Sequence, residues 1–252
     1  EWHALAVKPR RSRLEPWWEQ IRQWRAIDCL RFRPSATSIK PQHAIRRLFE
    51  LTRRYDPIIT TDVGQHQMWA AQHFPIFGPR RWLTSGGLGT MGYGFPAAIG
   101  AQIAHPDRLV INISGDASWV MNMQEMSTAM QYRLPVKIFL INNEYMGMVR
   151  QWQDFFHGSR RAESYMVGLP DFVKLAEAFG ATGLRATKPD ELYDVICRMI
   201  ETPGLVLADI RVEKVENVYP MIPGGAAHNE IRLSPEDDGP YEPVAEEGMV
   251  LV

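Results

Sequence analysis

Two stretches decide how this chain folds: Leu109-Val110-Ile111-Asn112-Ile113-Ser114-Gly115-Asp116-Ala117-Ser118, and Val136-Lys137-Ile138-Phe139-Leu140-Ile141-Asn142-Asn143. Each opens with a short apolar run rich in β-branched residues, the composition of a strand buried on both faces of a parallel sheet. Such strands deliver the residues after them to their carboxyl ends, the edge at which open α/β sheets bind ligands. Asp116 and Asn143 therefore converge. A hard divalent cation such as Mg²⁺ takes about six oxygens, usually one or two from carboxylates and the rest from phosphate and water. One Asp, one Asn and a loop carbonyl suit that demand, and the pair reads as a magnesium-diphosphate clamp. A turn or a strand end would explain either half alone; together, at this spacing, they point to a site.

Outward from the clamp, helical and strand patterns alternate. Upstream come a helix over Gln42–Tyr55, a strand over Ile58–Asp62, a helix over Gln65–His73, a Gly-rich loop and a helix over Pro96–Ala104. A helix over Met121–Tyr132 should join the two clamp strands. Downstream follow helices over Met146–Phe156 and Asp171–Phe179, a strand over Ala181–Arg185, a helix over Pro189–Ile200 and a strand over Leu205–Val212. This alternation predicts an α/β fold, a doubly wound parallel sheet with helices on both faces. The Trp-rich opening through Arg33 shows no long clean helical stripe, with at most a short helix at Glu15–Ile21, and Pro34 and Pro41 bracket a linker. The expected organisation is a segment over 1–40 left from a preceding domain, a diphosphate-binding domain over 41–213 and a tail over 214–252.

At 252 residues and 45% hydrophobic content the chain can bury one substantial core. A net charge of −1 gives no global attraction to nucleic acid or to a membrane surface. Charge is uneven, with thirteen Lys/Arg against five Asp/Glu before Tyr55 and two against nine from Glu213 onward, yet basic and acidic ends usually just solvate. Cys29 and Cys197 lack metal or redox spacing, which suits a reducing compartment. No apolar run approaches the roughly 18 residues that span a bilayer. A cytoplasmic protein is expected.

Two upstream segments bear on the clamp. Gly87-Leu88-Gly89-Thr90-Met91-Gly92 satisfies the G-x-G-x-x-G dinucleotide pattern by letter but fails by context. Arg80-Arg81-Trp82-Leu83-Thr84-Ser85 is a weak strand, Pro96 starts the helix late, and Asp107 lies in a turn instead of holding a ribose. Thr60-Thr61-Asp62-Val63-Gly64-Gln65-His66-Gln67 lies where a strand ends and a helix begins, a natural phosphate seat. Gly64 permits close approach there, and Gln65 and His66 can donate to phosphate oxygens. Ala117 and Ser118, opening the next helix, offer further N–H groups.

Gly115-Asp116 followed about 30 residues later by Asn142-Asn143 resembles the thiamine diphosphate signature, with Ala117 where that signature has Gly. Ser85-Gly86-Gly87-Leu88-Gly89-Thr90-Met91-Gly92-Tyr93-Gly94 and Asn143-Glu144-Tyr145-Met146-Gly147-Met148-Val149-Arg150-Gln151-Trp152-Gln153 resemble the acetolactate (acetohydroxyacid) synthase family, from about Pro41 to Arg232. The resemblance implies Mg²⁺ held by Asp116, Asn143 and the Tyr145 carbonyl, and cofactor contacts from Val63, Gly64, Gln65, His66, Gly115, Asp116, Ala117, Ser118, Asn143, Tyr145, Met146 and Gly147. Gly89 would meet the aminopyrimidine's 4′-amino group and Met91 would bend the cofactor into a V. Met148 and Trp152, on one helical face, would line the substrate channel. It further implies condensation of pyruvate with pyruvate or 2-ketobutyrate for branched-chain amino acids, a homo-oligomer with sites at the subunit interface, and a small regulatory subunit. FAD and the carboxylate that activates the aminopyrimidine would belong to domains N-terminal to this one, leaving the chain inactive alone. Glyoxylate carboligase-like or sulfoacetaldehyde acetyltransferase-like enzymes, or a noncatalytic Mg²⁺-nucleotide module, are the alternatives.

Overall fold

The structure, a computed structural model, describes residues 10–235; most of the acidic tail, from 236 onward, lies outside them. It divides into two units. In the smaller one, described over 10–32 and 219–235, helix α1 (Arg11–Ala26) is twice as long as the sequence suggested and contains Pro16. Leu14, Trp17, Ile21 and Trp24 do recur at helical spacing, and Trp17 meets Trp24 edge-on with ring centroids 6.4 Å apart. Arg22 ties Glu15 and Glu19 along the same helix. Met221 and Arg232 form an antiparallel bridge.

The larger unit covers 33–218. Its chain runs α2 (Pro41–Thr52), β1 (Ile58–Thr61), α3 (Gln65–His73), β2 (Trp82–Leu83), α4 (Gly94–Ala104), β3 (Val110–Gly115) and α5 (Asp116–Trp119). It continues α6 (Met126–Gln131), β4 (Lys137–Asn142), α7 (Gly147–Phe156), α8 (Phe172–Ala178), β5 (Thr182–Ala186), α9 (Leu192–Glu201) and β6 (Val206–Arg211). The six strands pair in the order β2-β1-β3-β4-β6-β5, every pair parallel. Helices cover both faces, as expected. Ile45 and Leu48 of α2, Trp69 of α3 and Ile196 of α9 pack with Ile111, Phe139 and Ile210 on one side. On the other, Phe95 of α4, Trp119, Met126 of α6 and Phe172 of α8 pack with Val110, Ile138 and Leu207.

The expected helix over Met121–Tyr132 is corrected. The chain is helical over Asp116–Trp119, turns through Val120–Asn122 and resumes through a 3₁₀ turn at Met123–Glu125 into α6. Two tertiary contacts break it: Trp119 is buried between Phe95 and Phe172, and Asn122 Nδ2 donates to Gly92 O at 2.6 Å. The weak strand before the glycine loop does pair, as β2 at the sheet edge. Phe139, in the middle of β4 and fully buried, fills the core between layers. Phe139→Ala should cost about 3–5 kcal/mol, read from the midpoint of denaturant unfolding.

Candidate functional site

From β1 the chain steps outward to β2, then returns to build β3 on β1's other side, so strand order reverses between β1 and β3. Open parallel sheets leave a crevice at the carboxyl ends of such a switch point. Here that crevice is a cleft of about 420 Å³, open mouth included, lined by Val63, Gly64, Gln65 and His66 after β1 and by Gly115, Ala117 and Ser118 after β3. Asn143, Tyr145, Met146, Gly147 and Met148 line it from the segment after β4, and Met91 from the glycine loop. Thirteen expected site residues thus meet in one place. Trp152 lies beside it, in a depression shared with Met148 and Val149. Gly89, exposed, and Asp116, buried and between Gly115 and Ala117 in sequence, are both outside the cleft lining.

Asp116 is 1% exposed. Oδ1 accepts from Ala117 N at 2.7 Å and Oδ2 from Glu144 N at 2.6 Å, so β3 and β4 are laced across their ends. Burial pushes this carboxyl up to about 7, with Asp209 and Glu144 adding repulsion and the two N–H groups pulling the other way. Asn143 Oδ1 accepts from Tyr145 N at 3.2 Å, which orients the amide over the same turn. Its neighbour Asn142 points elsewhere, donating to the buried Asp209 at 2.8 Å. Glu144, at φ 59, takes the left-handed turn between Asn143 and Tyr145. Arg211 and Lys214 hold its carboxylate at 2.9 and 2.8 Å.

Gln65 Nε2 donates to Gln151 Oε1 at 2.7 Å and to Glu216 O at 3.0 Å, binding the start of α3 to α7. Ser118 Oγ donates to Val63 O at 2.6 Å, and Ala117 N is already engaged by Asp116. His66 is buried, and desolvation lowers its pKa to about 3, so the imidazole is neutral. Its Nε2 has no hydrogen-bond partner among the described residues. Sequence reasoning passed over Asp62, whose buried carboxylate accepts four hydrogen bonds in this region. An acidic residue at a strand's carboxyl end, directly before Val63-Gly64, was the available signal.

Residues 62–210 match the family described as thiamine pyrophosphate enzyme, C-terminal TPP binding domain. The chain belongs to that family. It is 47% identical over 222 residues to the acetolactate synthase large subunit of Haemophilus influenzae and 48% identical over 224 to acetolactate synthase isozyme 3 large subunit of Escherichia coli K12. Each match covers 88% of this chain and 39% of the relative. Chloroplastic acetolactate synthase 1 of Nicotiana tabacum is 45% identical over 85% of this chain. The chain thus spans about two fifths of the bacterial relatives' length.

The cleft fits the family's cofactor, thiamine diphosphate. An unpaired buried His66 Nε2 is a polar atom waiting for a partner. Gly115 lets backbone and imidazole close up: a Cβ there would lie 2.5 Å from His66 Nδ1. Gly115→Ala should therefore displace the ring and weaken thiamine diphosphate binding about tenfold, read by fluorescence titration. Because both changes act through one side chain, Gly115→Ala combined with His66→Ala should lose no more than His66→Ala alone.

Proposed function

We propose that this chain is the cofactor-binding part of an acetolactate synthase large subunit. That protein condenses pyruvate with a second 2-ketoacid, pyruvate or 2-ketobutyrate, as a transferase in branched-chain amino acid biosynthesis. The observation that carries this is Met148 in the lining of the cleft, with Trp152 in the depression that adjoins it. Relatives named acetolactate synthase, 45–48% identical here, support it. When bound, the cofactor supplies an electron sink for decarboxylating a 2-ketoacid. The chain's residues anchor and select. Gln65 and His66 face the diphosphate, Met91 props the ring system, and Asp116, Asn143 and the Tyr145 carbonyl offer three oxygens to Mg²⁺.

The same reading places FAD and the activating carboxylate on the remainder of the large subunit, makes the enzyme a homo-oligomer with the cleft at a subunit interface, and allows a small regulatory subunit. No helix among the described residues is long and apolar enough to cross a membrane. Cys29 and Cys197 are free thiols, consistent with a cytoplasmic setting.

A complete large subunit carrying this chain should form acetohydroxy acids from pyruvate plus 2-ketobutyrate; a glyoxylate-specific enzyme would leave both untouched. Trp152→Leu should shrink the preference for 2-ketobutyrate over pyruvate by about 1–2 kcal/mol, measured from product ratios under competition. Metal binding needs Asp116 ionised, and its pKa in the metal-free fold is raised to about 7. Mg²⁺ affinity should therefore climb as pH rises toward 7 and level off above it, and Asp116→Asn should flatten that profile in calorimetric titrations. In the metal-free protein the sign reverses for stability: the fold holds more protons than the unfolded chain, so this group's contribution falls as pH rises through about 7.

A further inference from the structure

Asp62 directly follows β1 at the switch point, and it is fully buried. Its carboxylate forms no ion pair with a Lys, Arg or His of the described residues; four hydrogen-bond donors hold it. Oδ1 accepts from Val63 N at 3.0 Å and Gly92 N at 2.7 Å, and Oδ2 from Gly94 N at 3.3 Å and Ser114 Oγ at 3.4 Å. These donors come from three segments. Val63 opens the stretch that reaches Gln65 and His66; Gly92 and Gly94 close the glycine loop that carries Met91; Ser114 immediately precedes Gly115-Asp116.

The loop depends on that carboxylate for its exit. Gly92 sits at φ 89, where L side chains are strained, and its carbonyl is taken by Asn122 at 2.6 Å. Gly94, the first residue of α4, lies so close to β1 that a Cβ there would come 2.6 Å from Asp62 N. At the loop's other end Ser85 accepts from Gly89 N at 3.2 Å and, through its hydroxyl, from Thr90 N at 3.0 Å. Met91 therefore hangs between two fixed points. The downstream one is the Asp62 carboxylate, which also meets unsatisfied N–H groups at the start of the eleven-residue α4. A carboxylate has acceptor sites enough for all four donors at once, whereas a neutral amide would turn an NH₂ toward Gly94 N–H.

We propose that Asp62 is a positioning residue for cofactor binding: its carboxylate fixes the Met91 loop against the Val63–His66 segment and so sets the span between the cleft's two ends. This rests on the thiamine diphosphate reading of the cleft. Asp62 itself touches no part of the cofactor; it acts through Gly92, Gly94 and Val63.

The test compares wild type, Asp62→Ala and Asp62→Asn in the complete large subunit. Amide exchange over residues 87–96 is read without cofactor. Thiamine diphosphate affinity and the circular dichroism band induced on binding are read with it. In Asp62→Ala, exchange in the loop should quicken about tenfold or more while strands β4 and β6 stay protected, affinity should fall about tenfold, and the induced band should change. Asp62→Asn keeps one acceptor oxygen for Val63 and Gly92, so it should recover part of each loss, and it carries the test if the alanine variant fails to fold. Unchanged loop exchange in both variants overturns the proposal while leaving the cofactor reading intact. A loosened loop with wild-type affinity and band also overturns it, reducing Asp62 to a group that steadies the fold. Wild-type protein that binds no thiamine diphosphate would sink the underlying reading as well, and would be told apart because the exchange data need no cofactor.

Discussion

Parallel pairing is the constraint on which the rest of this structure depends. When six strands all run the same way, every carboxyl end lands on one edge, and each return crossing must pass over a face as a helix. The strands are consequently buried on both sides, and β1, β3 and β4 contain no exposed residue. Polar residues that such strands deliver to the edge cannot be dissolved in water. They must find partners among the neighbouring turns, and in doing so they bind those turns together.

The carboxylates show how this is done. Asp116 and Asp62 are both buried and lack cationic partners among the described residues, and both are held by backbone N–H groups from turns after other strands or loops. Asp209, on β6, is handled differently: Arg185 and Arg211 reach its Oδ2 at 3.0 and 3.1 Å, and Asn142 occupies Oδ1. The difference matters chemically. Asp209 is ion-paired, whereas Asp116 has a carboxyl whose ionisation burial opposes.

Strands and their order of appearance were legible because β-branched runs ending in Ser-Gly-Asp or Asn-Asn carry a strong local signal. Of the thirteen cleft residues, those after β1, β3 and β4 such as Gly64, Gln65, His66, Gly115, Ala117, Ser118 and Asn143 were legible from the strand ends, whereas Val63, Met91, Tyr145, Met146, Gly147 and Met148 came from the family resemblance. Elements that tertiary contacts define were not. Nothing within Met121–Tyr132 says that Asn122 will leave the helix to grip Gly92, thirty positions upstream. Asp62 was missed for the same reason, since Gly92 and Gly94 lie 30 and 32 residues away and become neighbours only when α4 docks on β1. Helix α1 failed differently: Pro16 hid a stripe of Leu14, Trp17, Ile21 and Trp24 that was local all along.

The cleft divides into ends of unlike physics. Around Asp116, Gln65 and His66 the side chains are buried and already committed to hydrogen bonds, with both Gln65 amide hydrogens taken by Gln151 and Glu216, and His66 Nε2 is the polar atom left unpaired among them. Little ordering remains for binding to impose there. At the other end, Trp152 in the adjoining depression is 39% exposed, its ring centroid 4.8 Å from that of Phe156. Substitutions at that end remove few contacts from the core, whereas substitutions at the anchored end unpair buried polar groups. Met148 and Trp152 therefore lie apart from the buried, hydrogen-bonded end of the cleft.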